Sequence, residues 1–202
     1  MQSGVYRGMS AVARAAERRQ RLLDATLAVW ADPENRTTMT AVCAEAGLTE
    51  RYFYESFSGL DEALTAVLDG VAVEIEQVTM AAAEAAGEDP ADRVRATVEA
   101  FVRLLVDDPR KGRVAIIEAA GIPALRRRRT DLLRYLAHRS AEEARTRLGL
   151  LPARGERADE LAGLLFIGGM AELITAWLDG ALEATPEEIV EAAARGFLGV
   201  YG

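Results

Sequence analysis

The chain has 202 residues, 50% apolar and 28% charged, with a net charge of -8. Against roughly 100–200 residues per domain this allows one helical domain or a small head on a larger body, and it excludes a disordered chain. The longest uncharged stretch, Leu161 to Ala171, is 11 residues, short of the roughly 20 of a membrane span, so no membrane partner is expected. Residues Met1 to Ser10 carry no apolar secretion segment, and a single cysteine builds no disulfide framework, so a cytoplasmic location is expected.

Period-2 alternation is nearly absent and apolar spacings of three and four recur, which predicts an all-α protein of about nine helices. The first helix, about Ala13 to Ala31, has Leu22, Leu23, Thr26, Leu27 and Trp30 on one stripe, and Asp32-Pro33-Glu34-Asn35 ends it. Thr38 caps a short second helix with Met39, Val42, Cys43 and Ala46 as its apolar face, and Gly47 is its natural C-terminal residue. Thr49 caps a third, Glu50 to Glu55, and Ser58-Gly59 separates it from a long fourth helix whose stripe runs from Leu60 to Val78. Helix five, about Ala91 to Val106, is apolar on most sides and is expected to be central. A short helix six carries Val114, Ile116 and Ile117 and breaks at Gly121-Ile122-Pro123; helix seven follows to Leu148. Leu151-Pro152 and Gly155 precede helix eight, roughly Glu156 to Leu178, and Thr185-Pro186 opens helix nine with the stripe Ile189, Ala193, Phe197 and Tyr201.

The counts remove several chemistries. With one His (His138) and one Cys (Cys43), no His/Cys zinc site of three or four ligands forms within a chain. Lys111 is the only lysine and Gly112 follows it, so there is no P-loop, and neither G-x-G-x-x-G nor G-x-S-x-G occurs. No cofactor is expected, and no nucleophile–base spacing suggests an enzyme. The charge, meanwhile, is uneven. Residues 1–21 hold Arg7, Arg14, Arg18, Arg19 and Arg21 against Glu17, segment 1–58 is neutral, and the whole deficit falls in 59–202. A basic segment suits a polyanionic partner and an acidic body suits solubility.

Three short helices, the last two joined by Ala46-Gly47-Leu48-Thr49, are the layout of a helix-turn-helix. The stretch from Thr37 to Phe57, with Ala-Gly-Leu-Thr followed by Tyr52-Phe53-Tyr54 and Phe57, resembles the signature of the TetR family of bacterial transcriptional regulators. Arg21-Leu22-Leu23-Asp24-Ala25 to Trp30-Ala31 looks like that family's first helix, and the match covers about residues 18–68. The resemblance implies that Thr38 contacts a phosphate, that Thr49, Glu50, Arg51 and Tyr52 face the major groove, and that the Tyr54 hydroxyl contacts the DNA backbone. It also implies that Phe53 and Phe57 are core positions. Of these residues Arg51 alone reaches a guanine O6/N7 pair bidentately. Glu50 could accept from a cytosine amine or orient Arg51, whereas Glu55 reads as helix-terminus electrostatics. Leu60 stands near where the family commonly has a lysine, so one phosphate contact is missing and the basic segment from Arg14 to Arg21 is expected to replace it.

For the body, the resemblance implies a ligand cavity within helices four to seven and a four-helix dimer interface from the last two helices of each subunit. Leu104, Leu105, Ile117, Leu133, Leu136 and Phe166 are candidate linings, and Glu118 is placed to meet a cationic ligand. Tyr135 and His138, which share a face of helix seven, are further polar candidates for pocket contacts. Arg126 to Arg129 point nearly all round their helix and are read as solvated. Gly168 and Gly169 permit close helix approach, and with Trp177, Ile189, Ala193 and Phe197 they are the expected dimer residues. Helix eight as a whole has too much apolar surface for one face of a monomer.

These readings combine into a helix-turn-helix head, 1–58, and a ligand-binding and dimerisation body, 59–202. The expected function is a homodimeric, effector-released regulator, in the first instance a repressor, on a palindromic double-stranded DNA operator, with helix four as the lever between head and body. The alternative is a helical adaptor whose degenerate helix-turn-helix grips protein.

Overall fold

The computed structural model describes residues 10–150 and 155–201, and among these every regular element is helical. Arg7 of the basic segment and the Leu151-Pro152 connection lie outside the described residues. The chain divides into two compact units, one ending at Val67 and the other beginning at Leu68.

The first unit contains α1 (Ala11–Ala31), α2 (Met39–Ala46), α3 (Glu50–Ser56) and the first turns of α4 (Leu60–Ala85). Each boundary has a local chemical cause. Ser10 accepts from the Ala13 amide at 3.1 Å to start α1, and Asp32 stops it by accepting from the Glu34 amide and the Asn35 side chain. The Asn35 bond is the main reason the Asp32 carboxyl titrates below its ordinary range. Thr38 accepts from the Ala41 amide at 3.2 Å to start α2. Gly47, at φ 61°, closes it, with its own amide on the Ala44 carbonyl and that of Leu48 on Cys43. A side chain at this left-handed position would add strain, which is why glycine occupies it. Leu22, Val42, Cys43, Phe53, Phe57 and Ala63 form the core of this unit, with Leu60 and Ala66 packed against it. Because α4 supplies Leu60, Ala63 and Ala66, this unit extends past the Ser58-Gly59 turn to Val67.

The second unit holds the rest of α4, then α5 (Pro90–Asp107), α6 (Pro109–Gly112), a π-helical turn (Arg113–Glu118), α7 (Ala119–Gly121), α8 (Pro123–Thr146), α9 (Glu156–Leu178) and α10 (Pro186–Tyr201). Asp89 caps α5 by accepting from the Ala91 and Asp92 amides, with Pro90 in the first turn. Thr185 and Glu188 bond reciprocally across the start of α10, a capping box. The single short helix six expected from the sequence is instead α6, the π turn and α7. The wider turn rotates the residues that follow it relative to α-helical spacing.

Two apolar clusters build this core. Val98, Val102, Leu105, Ile174, Ile189, Val190 and Ala193 make one, and Val94, Ala141, Ala144, Leu148, Ala194, Phe197 and Tyr201 the other. Gly163 lets α9 approach α8 so closely that a Cβ there would run into the Ala137 carbonyl. By length and composition α9 is apolar enough to cross a bilayer, with mean hydropathy 1.8 over its best window, and only 11% of that window is buried within the chain. Uncharged runs alone do not reveal this, because Glu172 interrupts the run without lowering the average much.

Candidate nucleic-acid interface

The buried face of α3 is Phe53, with Phe57 just beyond the helix end, 0% and 2% exposed. Their rings lie 5.6 Å apart. Once these positions are fixed inward, helical geometry turns Glu50, Arg51, Tyr54 and Glu55 outward, and all four are exposed. Tyr52 is 37% and Tyr54 58% exposed. Tyr54 packs edge-on against Phe53 at 5.9 Å, which holds the phenol while its hydroxyl faces solvent. Thr49 caps α3 without a side-chain bond to its amides, whereas the Thr38 hydroxyl is engaged as the cap of α2. The first unit therefore presents Thr49, Glu50, Arg51, Tyr52 and Tyr54 on one short helix, with Thr38 half-buried at the start of the preceding one.

Arg18, Arg19 and Arg21 of the basic segment are engaged within the head. Arg21 donates through Nη2 to the Ala46 carbonyl at 2.6 Å, at the C-terminal end of α2. Arg19 lies over the Phe57 ring at 4.8 Å. Arg18 stacks on Tyr52 at 4.7 Å and pairs with Glu55 at 3.6 Å. Glu55 in turn accepts from Arg51 Nε at 3.2 Å. Glu55 and not Glu50 thus holds Arg51, correcting the helix-terminus reading. Its spacing of four from Arg51 was a readable signal; its partnership with Arg18, 37 residues away, was not.

In the second unit an open cleft of about 220 Å³ lies among α4, α5, α8, α9 and α10. Leu136 and Phe166 line it as expected, together with Val94, Val98, Leu148 and Phe197. Leu104, Leu105, Ile117, Leu133 and Glu118 do not. Leu105, 1% exposed, packs into the core with Val102 and Ile174. Glu118 is tied to Arg113 at 3.1 Å across the π turn that the two residues begin and end, so it is a structural ion-pair partner. Of the polar rim, Tyr135 was a sequence candidate; Arg93, Glu143 and Glu76 were not, because the rim joins distant helices. Arg93 donates to the Gly87 carbonyl and to Glu143, while its buried Nε has no acceptor. Tyr135 donates to Glu76 at 2.6 Å, which pushes its phenol above the ordinary range. His138 is exposed and outside this lining.

The sequence matches no protein-family model and no curated protein at a significant level. Solved structures do match. A TetR-like transcriptional regulator from Rhodococcus sp. RHA1 is 17% identical, with a TM-score of 0.70 over 94% of this chain and 96% of its own. The fatty acid degradation regulator FadR from Bacillus halodurans is 15% identical, with a TM-score of 0.71 over 98% and 97%. A TetR-family transcriptional regulator from Streptomyces coelicolor is 24% identical, with a TM-score of 0.65 over 96% of each chain. The chain has the TetR-family fold.

Within this TetR-type fold the residues expected at a dimer interface separate into two groups. Gly168 and Gly169 are exposed, and a Cβ at either position would have no neighbour within 4 Å. Ile189, Ala193 and Phe197 are 1%, 4% and 7% exposed within the single chain. They pack against α5 and α9 of the same chain, which corrects their assignment. Trp177 is half-buried, and its ring nitrogen donates to the Ala184 carbonyl at 2.9 Å. The exposed face of α9 carries Leu161, Leu164, Leu165, Gly168 and Gly169, at 59%, 37% and 68% exposure for the leucines. Their spacing of three and four places them on one stripe.

Proposed function

We propose that this chain is a ligand-responsive transcriptional regulator, a repressor that binds a palindromic operator as a homodimer and is released by a small-molecule effector. The observation that carries the reading is α3 itself. Phe53 and, just past the helix end, Phe57 are committed to the head core, and the side chains left outside include Thr49, Glu50, Arg51, Tyr52 and Tyr54. A helix of two turns fits the major groove, where an arginine reads guanine and hydroxyls position the protein on the backbone. Two heads related by a two-fold axis would meet half-sites about one helical turn apart or somewhat more.

The apolar stripe of α9 supports self-association, because a second copy covers it symmetrically. The cleft supports an effector site, since it joins an apolar floor to a charged rim. Its wall includes Glu76, Thr79 and Met80 of α4, and the same helix supplies Ala63 to the head core. An effector that binds one disposition of α4 better than another shifts operator affinity by that difference.

The test is selection from a random duplex library, then titration of the winner across a salt series. A two-fold symmetric consensus with steep salt dependence supports the reading. Arg51→Ala should cost about 1–3 kcal/mol and relax one base pair, and Tyr54→Phe should weaken all sequences alike. Absence of enrichment at low salt would refute it in favour of an adaptor that grips protein.

A further inference from the structure

We infer that Glu55 sets how Arg51 reads a base pair, by holding the guanidinium through Nε and leaving the two terminal nitrogens to face the groove. The inference rests on the proposed DNA-reading role of α3. Arg51 is 85% exposed at its side chain, and its one ion pair among the described residues is to Glu55 Oε1, at 3.2 Å from Nε. The other carboxylate oxygen lies 3.6 Å from Arg18 Nη2, and Arg18 is itself stacked on Tyr52. A chain of contacts therefore runs from α1 through Glu55 to the tip of α3.

This arrangement needs a reason, because local electrostatics disfavour it. A carboxylate near a helix C-terminus opposes the helix dipole, and an arginine preceding a glutamate by four is the weaker order of such pairs. A carboxylate beside phosphates also opposes DNA binding. Arg18 offsets the charge, half-buried at 27% exposure. What the pair supplies is geometry. A guanidinium can meet guanine O6 and N7 side-on, through Nε and one terminal nitrogen, or end-on through both terminal nitrogens. With Nε committed to Glu55 only the end-on approach remains, and part of the arginine's rotamer freedom is lost before DNA arrives. Glu55 is thus a positioning residue for Arg51, and Arg18 is its counterion instead of a phosphate ligand.

The experiment compares wild-type protein with Glu55→Ala, Glu55→Gln and Arg51→Ala on the selected duplex and on duplexes changed at each position. The pair read by Arg51 is the one where Arg51→Ala removes discrimination. Glu55→Ala should lower discrimination at that pair by about fivefold or more, while affinity for unrelated duplex stays level or rises. Glu55→Gln, whose amide oxygen still accepts from Nε, should keep most of the discrimination, and it remains informative if the alanine variant melts early. If both Glu55 variants bind every duplex better and discriminate as wild type does, Glu55 is only an electrostatic brake and the inference is overturned. Specific binding by wild type that Arg51→Ala leaves intact at every position overturns it too, with the DNA reading preserved. Wild-type protein without sequence preference overturns both.

Discussion

Leu165→Glu tests the proposed self-association through α9 apart from the fold of the single chain. Leu165 is 68% exposed on α9, one turn from Leu161 and beside Leu164, Gly168 and Gly169. Full burial of a leucine contributes about 1.5–3 kcal/mol, so covering the exposed two-thirds is worth roughly 1–2 kcal/mol per protomer. Two-fold symmetry counts it twice, giving about 2–4 kcal/mol before any cost of burying two carboxylates. At about 1.4 kcal/mol per factor of ten, the dimer dissociation constant should rise roughly 30- to 1000-fold. Sedimentation equilibrium over a dilution series measures this, and circular-dichroism melts of dilute protein should show the protomer fold unchanged. A variant that dimerises as wild type does would refute the reasoning. So would a wild-type monomer, and one that co-floats with lipid vesicles would assign the apolar face of α9 to a membrane.

Gly163→Ala should destabilise the second unit by more than the usual 1–3 kcal/mol of core overpacking, because the new methyl meets the backbone of Ala137 and the helices must part. Gly168→Ala, further along α9 with open space around it, should raise protomer stability by about 0.5–1 kcal/mol through helix propensity; paired urea melts check both. Burial, with the Asp159 charge second, pushes the Tyr201 phenol up to about 12. The folded state therefore keeps a proton that the unfolded chain releases near pH 10, so its stability is intact below pH 10 and falls as pH rises toward 12. Tyr201→Phe should flatten that alkaline decline while leaving stability at neutral pH level or higher, since the Tyr201 hydroxyl is buried without a partner; denaturant melts at pH 8 and pH 11 read this out.

Capping chemistry made most helix ends legible in the sequence. Thr38, Gly47 and Thr185-Pro186 each mark an end where orphan backbone groups are satisfied, and such bonds are decided within a few residues. Phe53 and Phe57 were legible as core through the resemblance to the TetR signature, and both are buried. The stripe Ile189, Ala193 and Phe197 is equally visible, but periodicity says only that a face is buried and not against what. Expected against a second copy, it belongs to the protomer's own α5 and α9. The cleft was hidden for a related reason: Arg93 and Glu143 are 50 residues apart, and no local pattern joins them. Glu118, the last residue of the π turn, is held by Arg113 and stays out of the cleft, whereas Tyr135 reaches its rim.

On the proposed DNA reading, which cations remain for the backbone follows from where the head's arginines are held. Arg21 ends α2, Arg19 covers Phe57 and Arg18 neutralises Glu55. Their fixed contacts are with the head itself, so the replacement for the family's lysine near Leu60 has to come from elsewhere. Arg36 is exposed two residues before the Thr38 cap, close to the N-terminal end of α2, where backbone amides favour phosphate. Each phosphate contact adds about 0.9 to the slope of log affinity against log salt. Arg36→Gln should therefore lower the slope by roughly that amount per subunit. Arg19→Gln and Arg21→Gln should leave the slope unchanged and instead lower the melting temperature of the head. A slope that falls for Arg19 and Arg21 but not for Arg36 would show that the basic segment of α1 contacts the phosphates and that its contacts within the head break on binding.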